Sequence, residues 1–501
     1  MSILHFQSVT DVATAGLLLG AVYFVGSAIY NLFFHPLSKY PGPLLNRVSY
    51  LPRVYLLLSG QLGLRMVDFH KKYGPVVRLT PTELAFSSPE AWDDIYGHRK
   101  AGEEEFPKYE LFYRVQKYLP TAIINAGRDE HILLRRQLSH GFSDRAMREQ
   151  EPIIKGYVDL LIQRLRENID VFPTVPLNMT EWYNWTTFDI IGDLGFGGAG
   201  GFGCLEHRNY HPWVRLITDN MRQSAAIQAL ASIGLREVVQ WISKLPSAAG
   251  SQHRSYIKEK VMQRLELSGT ISRPDFIESL IKKKDELNFD TGRIIMNSSL
   301  LVIAGSETTA TLLCGATFLL ATHPDVMERL THEVRSMFKA ETDINLISVG
   351  QLPYMLAVLN ESLRLYPPVV IGLPRVVPAG GGIIDGKPVP QNTVVSVYQY
   401  AVNHDDRYWT EPFTFAPERF LNDPKYKTDR LEATQPFGTG PRNCLGKNLA
   451  YSEMRLILAR LIWNFDISLA EDSQNWIGRQ GAYTSWIKPK LNVFLKPVAR
   501  V

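Results

Sequence analysis

The 501-residue sequence predicts a mostly α fold with a minor β-sheet portion, carried behind an N-terminal transmembrane helix. Three observations lead there. Residues 12–34 contain no charged side chain. Apolar residues recur at helical spacing over 151–167, 275–284, 293–322 and 348–365. Only short β-branched runs such as 76–79 and 393–397, flanked by Pro, Gly or Asn, read as strands.

The first element is the apolar run itself. As a helix it spans about 35 Å, enough for a hydrocarbon core of about 30 Å. A cleaved signal peptide is the competing reading, but Asp11 and no Lys or Arg precede the run, which is also long for such a segment. Lys39, Arg47, Arg53 and Arg65 follow it, so the positive-inside tendency leaves the body cytoplasmic, as a single-pass protein of the endoplasmic reticulum membrane. The sequons at Asn178, Asn184, Asn297 and Asn360 then go unused.

Pro36, Pro41 and Pro43 make 35–46 a proline-rich hinge, because each removes a helical hydrogen bond or bars its predecessor from helix. Beyond it there is no linker, low-complexity tract or repeat, so 47–501 reads as one catalytic domain. A composition of 45% apolar and 21% charged residues belongs to a folded protein. A net charge of +4 without a basic run gives no footprint for nucleic acid. Cys204, Cys314 and Cys444 are too scattered for a disulfide framework or a four-cysteine zinc site. The GFGGAG run from Gly195 to Gly200 matches a dinucleotide fingerprint letter for letter. A helical pattern precedes it, though, and Gly201 and Gly203 follow where a helix should start, so it reads as an inter-helix loop.

The chemistry gathers near the C-terminus, in PFGTGPRNCLGKNLAYSEM. Cys444 follows Gly438, Gly440 and Pro441 and precedes a helical pattern, where the helix dipole favours a thiolate. Gly440 and Gly446 would let backbone approach a flat ligand, and Arg442 can pair with a carboxylate. One cysteine in such a turn is usually a small buried hydrophobe. The spacing Phe437-x-x-Gly440-x-Arg442-x-Cys444-x-Gly446 decides otherwise, because it resembles the haem-binding loop of the cytochrome P450 family.

That resemblance implies the cytochrome P450 fold and haem b, iron protoporphyrin IX with the Cys444 thiolate as axial ligand. Other pieces recur in order. Glu361 and Arg364 lie one helical turn apart and Pro417-Glu418-Arg419-Phe420 follows, which in the family implies a buried Glu361–Arg364–Arg419 network. In the apolar pattern 293–322, Ala304-Gly305-Ser306-Glu307-Thr308-Thr309 puts a glycine and an ionisable group mid-helix, against local rules. A small-residue helix contact with a capped hydroxyl would explain it. The resemblance instead gives Glu307 and Thr308 a proton-delivery role. His131 with Arg135, and Arg375 after Gly372-Leu373-Pro374, resemble the family's propionate-binding positions, although the family usually has Trp where this chain has His131.

The activity so implied is that of a monooxygenase using dioxygen, with electrons from NADPH through a flavoprotein reductase docked on a basic face of Arg135, Arg136 and Lys447. Segments 106–118, 369–373 and 482–486 are expected to line an apolar pocket for a lipophilic small molecule. The wording NLFFHPLSKYPGP looks most like filamentous-fungal members that tailor secondary metabolites, mycotoxins among them. A haem-thiolate isomerase or lyase, or a non-catalytic membrane haem protein, would be the alternatives, and neither has a use for the acid–threonine pair.

Overall fold

A 32-residue helix, Thr291–Thr322, forms the axis of the body. Asp290 caps its start, Oδ1 accepting from the Arg293 amide at 2.7 Å, and Pro324 stops its continuation at His323. Met179–Phe196, buried along nearly its whole length, packs against this central helix, as do Pro353–Leu365 and Lys447–Asn464. The structure is a computed structural model and describes residues 9–100, 102–196, 201–244, 248–266, 275–284 and 289–499. Gly197 to Gly200 of the glycine run therefore lie outside the described residues, while Gly195 and Phe196 form the end of a helix.

The larger sheet is small and mixed. Val76–Thr80 pairs antiparallel with Glu83–Phe86, which runs parallel to Val394–Val397, and Arg375–Val376 closes the order antiparallel to that strand. The Val-rich strands are buried on both faces, as their sequence demands. In a second sheet Asn492–Pro497 lies between Leu177–Asn178 and Phe465–Leu469.

The expected helix 151–167 lies within Asp144–Val171, which Ser143 caps by accepting from the Ala146 amide. The expected 348–365 helix is two elements. Pro353 forces Leu352 out of the helical region, leaving a single 3-10 turn at Ser348–Gln351 before Pro353–Leu365. In 275–284 only Glu278–Lys282 is α-helical, because Asp275 is committed to a buried ion pair with Arg264 at 2.5 Å.

Outside the body stands the helix Val9–Ile29, prolonged by a π-turn at Tyr30–Phe34. Val12–Phe34 is long and apolar enough to cross a membrane, and Asn31 is its one buried residue; Thr291–Thr322 passes the same test but is a core helix. The proline-rich segment is pinned to the sheet. Arg78, fully buried, donates to the Asn31 carbonyl at 2.7 Å and its amide to the Pro41 carbonyl at 2.7 Å. Tyr40 reaches the Pro388 carbonyl at 2.8 Å. A Cβ at Gly42 would lie 2.4 Å from the Arg78 carbonyl oxygen, so only glycine passes there.

Pro353–Leu365 carries the expected charge network and ties it to a further member. Arg364 grips Glu361 with two bonds of 2.7 Å and donates to the Asn403 and Pro412 carbonyls. Arg419 donates to Glu361 at 3.2 Å and to Asp429, whose other oxygen accepts from the Thr410 amide at 2.7 Å. All four side chains are fully buried, two cations against two carboxylates, which is the condition under which charge is tolerated inside a protein.

Glu361→Gln leaves Arg364 without a carboxylate and Arg419 with Asp429 alone, and should cost about 3–5 kcal/mol. Asp429→Asn leaves Arg419 on Glu361 and should cost less, about 1–3 kcal/mol. Denaturant melts of the two variants check the order; equal costs would show that Arg419 draws nothing from Glu361.

Candidate active site

The Cys444 loop owes its path to two glycines in the left-handed region, Gly438 at φ 68° and Gly440 at φ 72°. At Gly440 a Cβ would meet the Tyr96 carbonyl oxygen at 2.0 Å, so this glycine serves packing on Glu90–Tyr96 and not the approach of a flat ligand. The Cys444 amide closes the loop on the Phe437 carbonyl at 2.7 Å. Lys447–Asn464 starts three residues on, with Gly446 at its cap. Gly446 does face the cavity, and a Cβ there would meet nothing nearer than Phe142 at 3.6 Å.

Cys444 is exposed, but to an internal cavity of about 370 Å³. The surrounding protein pushes its thiol pKa up, opposed by the Gly446 amide and the charges of Arg135 and Lys447. The central helix contributes Leu300, Leu301, Ala304, Gly305 and Thr308 to the same cavity. Gly305 lets Met179–Phe196 come close, since a Cβ would lie 2.9 Å from Ile191 Cδ1, and the Thr308 hydroxyl donates to the Ala304 carbonyl at 2.6 Å.

Glu307 does not line the cavity. It is buried and ion-paired with Lys488, whose Nζ also donates to Thr311 at 2.7 Å. The Thr311 hydroxyl lies 3.4 Å from Glu307 Oε1, and Oε2 is buried without a partner. Of the expected pocket segments, 106–118 contributes Lys108 and Tyr113, and 369–373 contributes Val369, Ile371 and Leu373. Segment 482–486 contributes nothing: Trp486 is stacked on Tyr366 and donates to the Pro367 carbonyl at 2.8 Å.

His131, Arg135, Arg375, Arg442 and Phe437 all line the cavity. Burial, then Arg442, Lys108 and Arg135, push the His131 imidazole down to about 4. Arg135 braces the loop, donating to the Asn443 carbonyl at 2.7 Å and its side-chain oxygen at 2.5 Å. Arg442 is held by Glu105 at 2.7 Å and donates to the Ala126 carbonyl at 3.0 Å. Arg375 donates to the Phe106 carbonyl at 3.1 Å, while its Nε is buried and unpartnered.

This set fits haem: a thiol open to the cavity, an apolar wall, and a crowd of basic groups whose neighbouring carboxylate, Glu105, is already engaged by Arg442. Lys108, Glu105, Lys488, Asp429 and Glu453 are participants that sequence reasoning missed. None stands in a local pattern: Lys108, Glu105 and Lys488 bear on partners from distant segments, Asp429 meets Arg419 across a ten-residue turn of chain, and Glu453 is set by burial alone.

Glu453 also lines the cavity, fully buried, with Oε1 unpartnered, and burial alone raises its carboxyl from 4.5 to about 8. A carboxyl whose folded pKa is raised stabilises the fold while both states hold the proton. That contribution is present below the unfolded value and is lost as pH climbs to the folded one. Glu453→Gln should therefore gain on wild type between about pH 4.5 and about pH 8, by at most about 1.4 kcal/mol per pH unit. Parallel stability–pH curves for the two proteins would refute it.

A family model described as Cytochrome P450 matches residues 41–494. The chain is 48% identical to cytochrome P450 monooxygenase tpeC of Talaromyces stipitatus, over 97% of this chain and 95% of that one. It is 44% identical to cytochrome P450 monooxygenase prhB of Penicillium brasilianum, over 96% and 98%. With the trichothecene C-15 hydroxylase of Fusarium sporotrichioides it shares 42% identity, over 95% and 96%. Likeness of that depth from end to end is common descent with an enzyme class, and the chain belongs to the cytochrome P450 family of haem-thiolate monooxygenases.

Proposed function

We propose that this monooxygenase oxidises a lipophilic small molecule in fungal secondary metabolism, with Cys444 as the axial thiolate and Thr308 as the proton-holding group of the cavity. One observation carries the reading: Cys444 and Thr308, from a loop and a helix far apart in the chain, line a single cavity. Its other walls, Ile191, Phe276, Leu300, Leu301, Val369 and Ile371, suit an apolar substrate and keep water out. A trichothecene hydroxylase among the relatives supports a secondary-metabolite substrate.

When bound, thiolate-ligated haem supplies reductive activation of dioxygen. His131 and Arg375 are the groups readiest for its carboxylates; Arg135 holds the loop, and Arg442 shares itself with Glu105. Phe437 covers the loop beside Tyr451, ring centroids 5.1 Å apart. Thr308 holds a proton at Oγ1 on the cavity wall, and Glu307 behind it, a carboxylate while paired with Lys488, replenishes that proton once it has turned away and taken one from water. Electrons arrive from an NADPH-dependent flavoprotein reductase, for which exposed Arg136 and Lys447 offer a basic face.

The enzyme sits in the endoplasmic reticulum membrane with its body cytoplasmic. Lys39, Arg47, Arg53 and Arg65 after the apolar helix support that orientation. Exposed Leu44, Leu45 and Tyr55 beside the anchor, and exposed Val238, Trp241 and Ile242 on Arg236–Lys244, support further contact with lipid.

Reduced wild type with carbon monoxide should show the red-shifted Soret band of a thiolate-ligated haem. Cys444→Ala should lose that band; a variant that kept it would sink the ligand assignment. Thr308→Ala should keep haem and substrate binding, consume NADPH, and release more peroxide with less product. Equal product per NADPH in variant and wild type would leave the hydroxyl a packing group only.

Removing residues 1–34 should move the protein towards the soluble fraction, with residual lipid binding. It also deletes the Asn31 carbonyl that buried Arg78 uses. A cut after residue 26 keeps that acceptor, so it should be more stable by about 1–3 kcal/mol. Identical melting of the two truncations would show that the Arg78 contact is idle.

A further inference from the structure

Glu307 sits off the cavity in a cluster of polar groups from three further segments of the chain. Met179–Phe196 runs antiparallel to the central helix: a Cβ at Gly195 would lie 3.3 Å from Val302, Ile191 abuts Gly305, and Thr180 accepts from Cys314 Sγ at 4.0 Å. Asn184 stands one turn after Thr180, and Thr311 almost one turn before Cys314, so the two come opposite each other. Thr311 is the hydroxyl that Lys488 shares with Glu307. The Asn184 amide donates to the Tyr210 hydroxyl at 3.1 Å, while its Oδ1 is buried and unpartnered, as is Glu307 Oε2. The two residues are only 3% and 5% exposed, so bulk solvent does not serve these oxygens. Tyr210 is half-buried and leads from the cluster to the surface. Burial pushes its hydroxyl pKa up; the bond from Asn184 opposes this, and the charges of Glu181 and Glu307 add to it.

We propose that a water held by Glu307 Oε2, Asn184 Oδ1 and the Tyr210 hydroxyl is where protons enter the acid, so that Glu307 is recharged from solvent on the Tyr210 side and not through the substrate cavity. The proposal rests on the reading of Glu307 as the acid behind Thr308. Two buried acceptors without donors cost about 1–3 kcal/mol each, and a water between them serves both. With Tyr210 it has three polar partners, the usual complement of a buried water. In the transfer this water gives a proton to Glu307 Oε2 and takes one from the Tyr210 hydroxyl, which regains its own from solvent. Every oxygen then holds the protons it began with except the carboxylate, which has gained one. Asn184 moves no proton; it is a positioning residue that orients the water and the Tyr210 hydroxyl. A route behind the central helix leaves the apolar cavity dry.

The test compares full-length holoenzymes with Tyr210→Phe, Asn184→Leu and Glu307→Gln, each first checked for the carbon monoxide band. NADPH consumption is measured in light and heavy water, with reductase in excess and dodecanol as the lipophilic probe. A positioned proton donor is worth about 10²–10⁴-fold in its step, so losing the route should bring that step into control. Tyr210→Phe and Asn184→Leu should then consume NADPH at least about tenfold more slowly, with a solvent isotope effect larger than wild type's. Tyr210→Phe combined with Glu307→Gln should be no slower than Glu307→Gln alone, because the two act in series. Additive slowing would put Tyr210 on another path and overturn the proposal. A slowed Tyr210→Phe whose isotope effect stays at the wild-type value is slowed by packing, which overturns it too. If Glu307→Gln is slowed while the other two run at the wild-type rate, the acid stands and this entry falls. If Glu307→Gln itself runs at the wild-type rate, Glu307 is not the acid and both readings fall. Should Tyr210→Phe not hold haem, Asn184→Leu takes its place in each comparison.

Discussion

Glu361 binds Arg364 on its own helix and Arg419 on the segment that runs into the Cys444 loop, so a single carboxylate fixes the approach of that loop to the core. The loop has few means of its own. It has two left-handed glycines, one closing bond from Cys444 to Phe437, and a Gly440 that fits only while Tyr96 stays in place. Arg364 also holds the Asn403 and Pro412 carbonyls, and Asp429 extends the network to the Thr410 amide, so the whole connection from the sheet to the loop is braced from inside. Buried charge in this arrangement trades net stability for one defined geometry, and a ligand-bearing loop needs that geometry.

Charge is balanced in that network and unbalanced at the cavity. The first holds two cations and two carboxylates. The second gathers Lys108, His131, Arg135, Arg375 and Arg442, with Glu105 the carboxylate engaged among them. The suppressed values of His131 and Lys108 follow first from burial and then from that imbalance. A fold stabilised only by its own side chains would not keep such a rim. Completing it from outside, with the family's dianionic cofactor, makes the imbalance intelligible as a binding device.

Much of this was legible in the sequence because it is local. The 32-residue central helix, the capped helix Asp144–Val171 and the spacing from Phe437 to Gly446 are patterns in neighbouring residues. Pro353 was legible too, yet its effect on Leu352 was masked by an apolar rhythm that runs unbroken through 348–365. What stayed hidden depends on partners remote in sequence: Lys108 opposite Arg375, Lys488 on Glu307, Glu105 on Arg442. Segment 482–486 misled for a related reason. An aromatic run reads alike whether it faces a ligand or, as Trp486 does, the ring of a buried tyrosine.

The pairing of Glu307 with Lys488 bears on whether an acid turned from the cavity can serve it. Breaking a buried pair costs about 3–5 kcal/mol, which lowers the turned population by about 10²–10⁴. Unhindered side chains change rotamer in about a nanosecond or less, so a penalty of that size still leaves roughly 10⁵–10⁷ excursions per second. Turnover of typical enzymes runs at about 1–10³ per second. In the proposed relay, the ion pair would keep Glu307 from flooding the cavity with charge without making it rate-limiting. Thr308, already at the wall, is the group whose removal the chemistry would feel first.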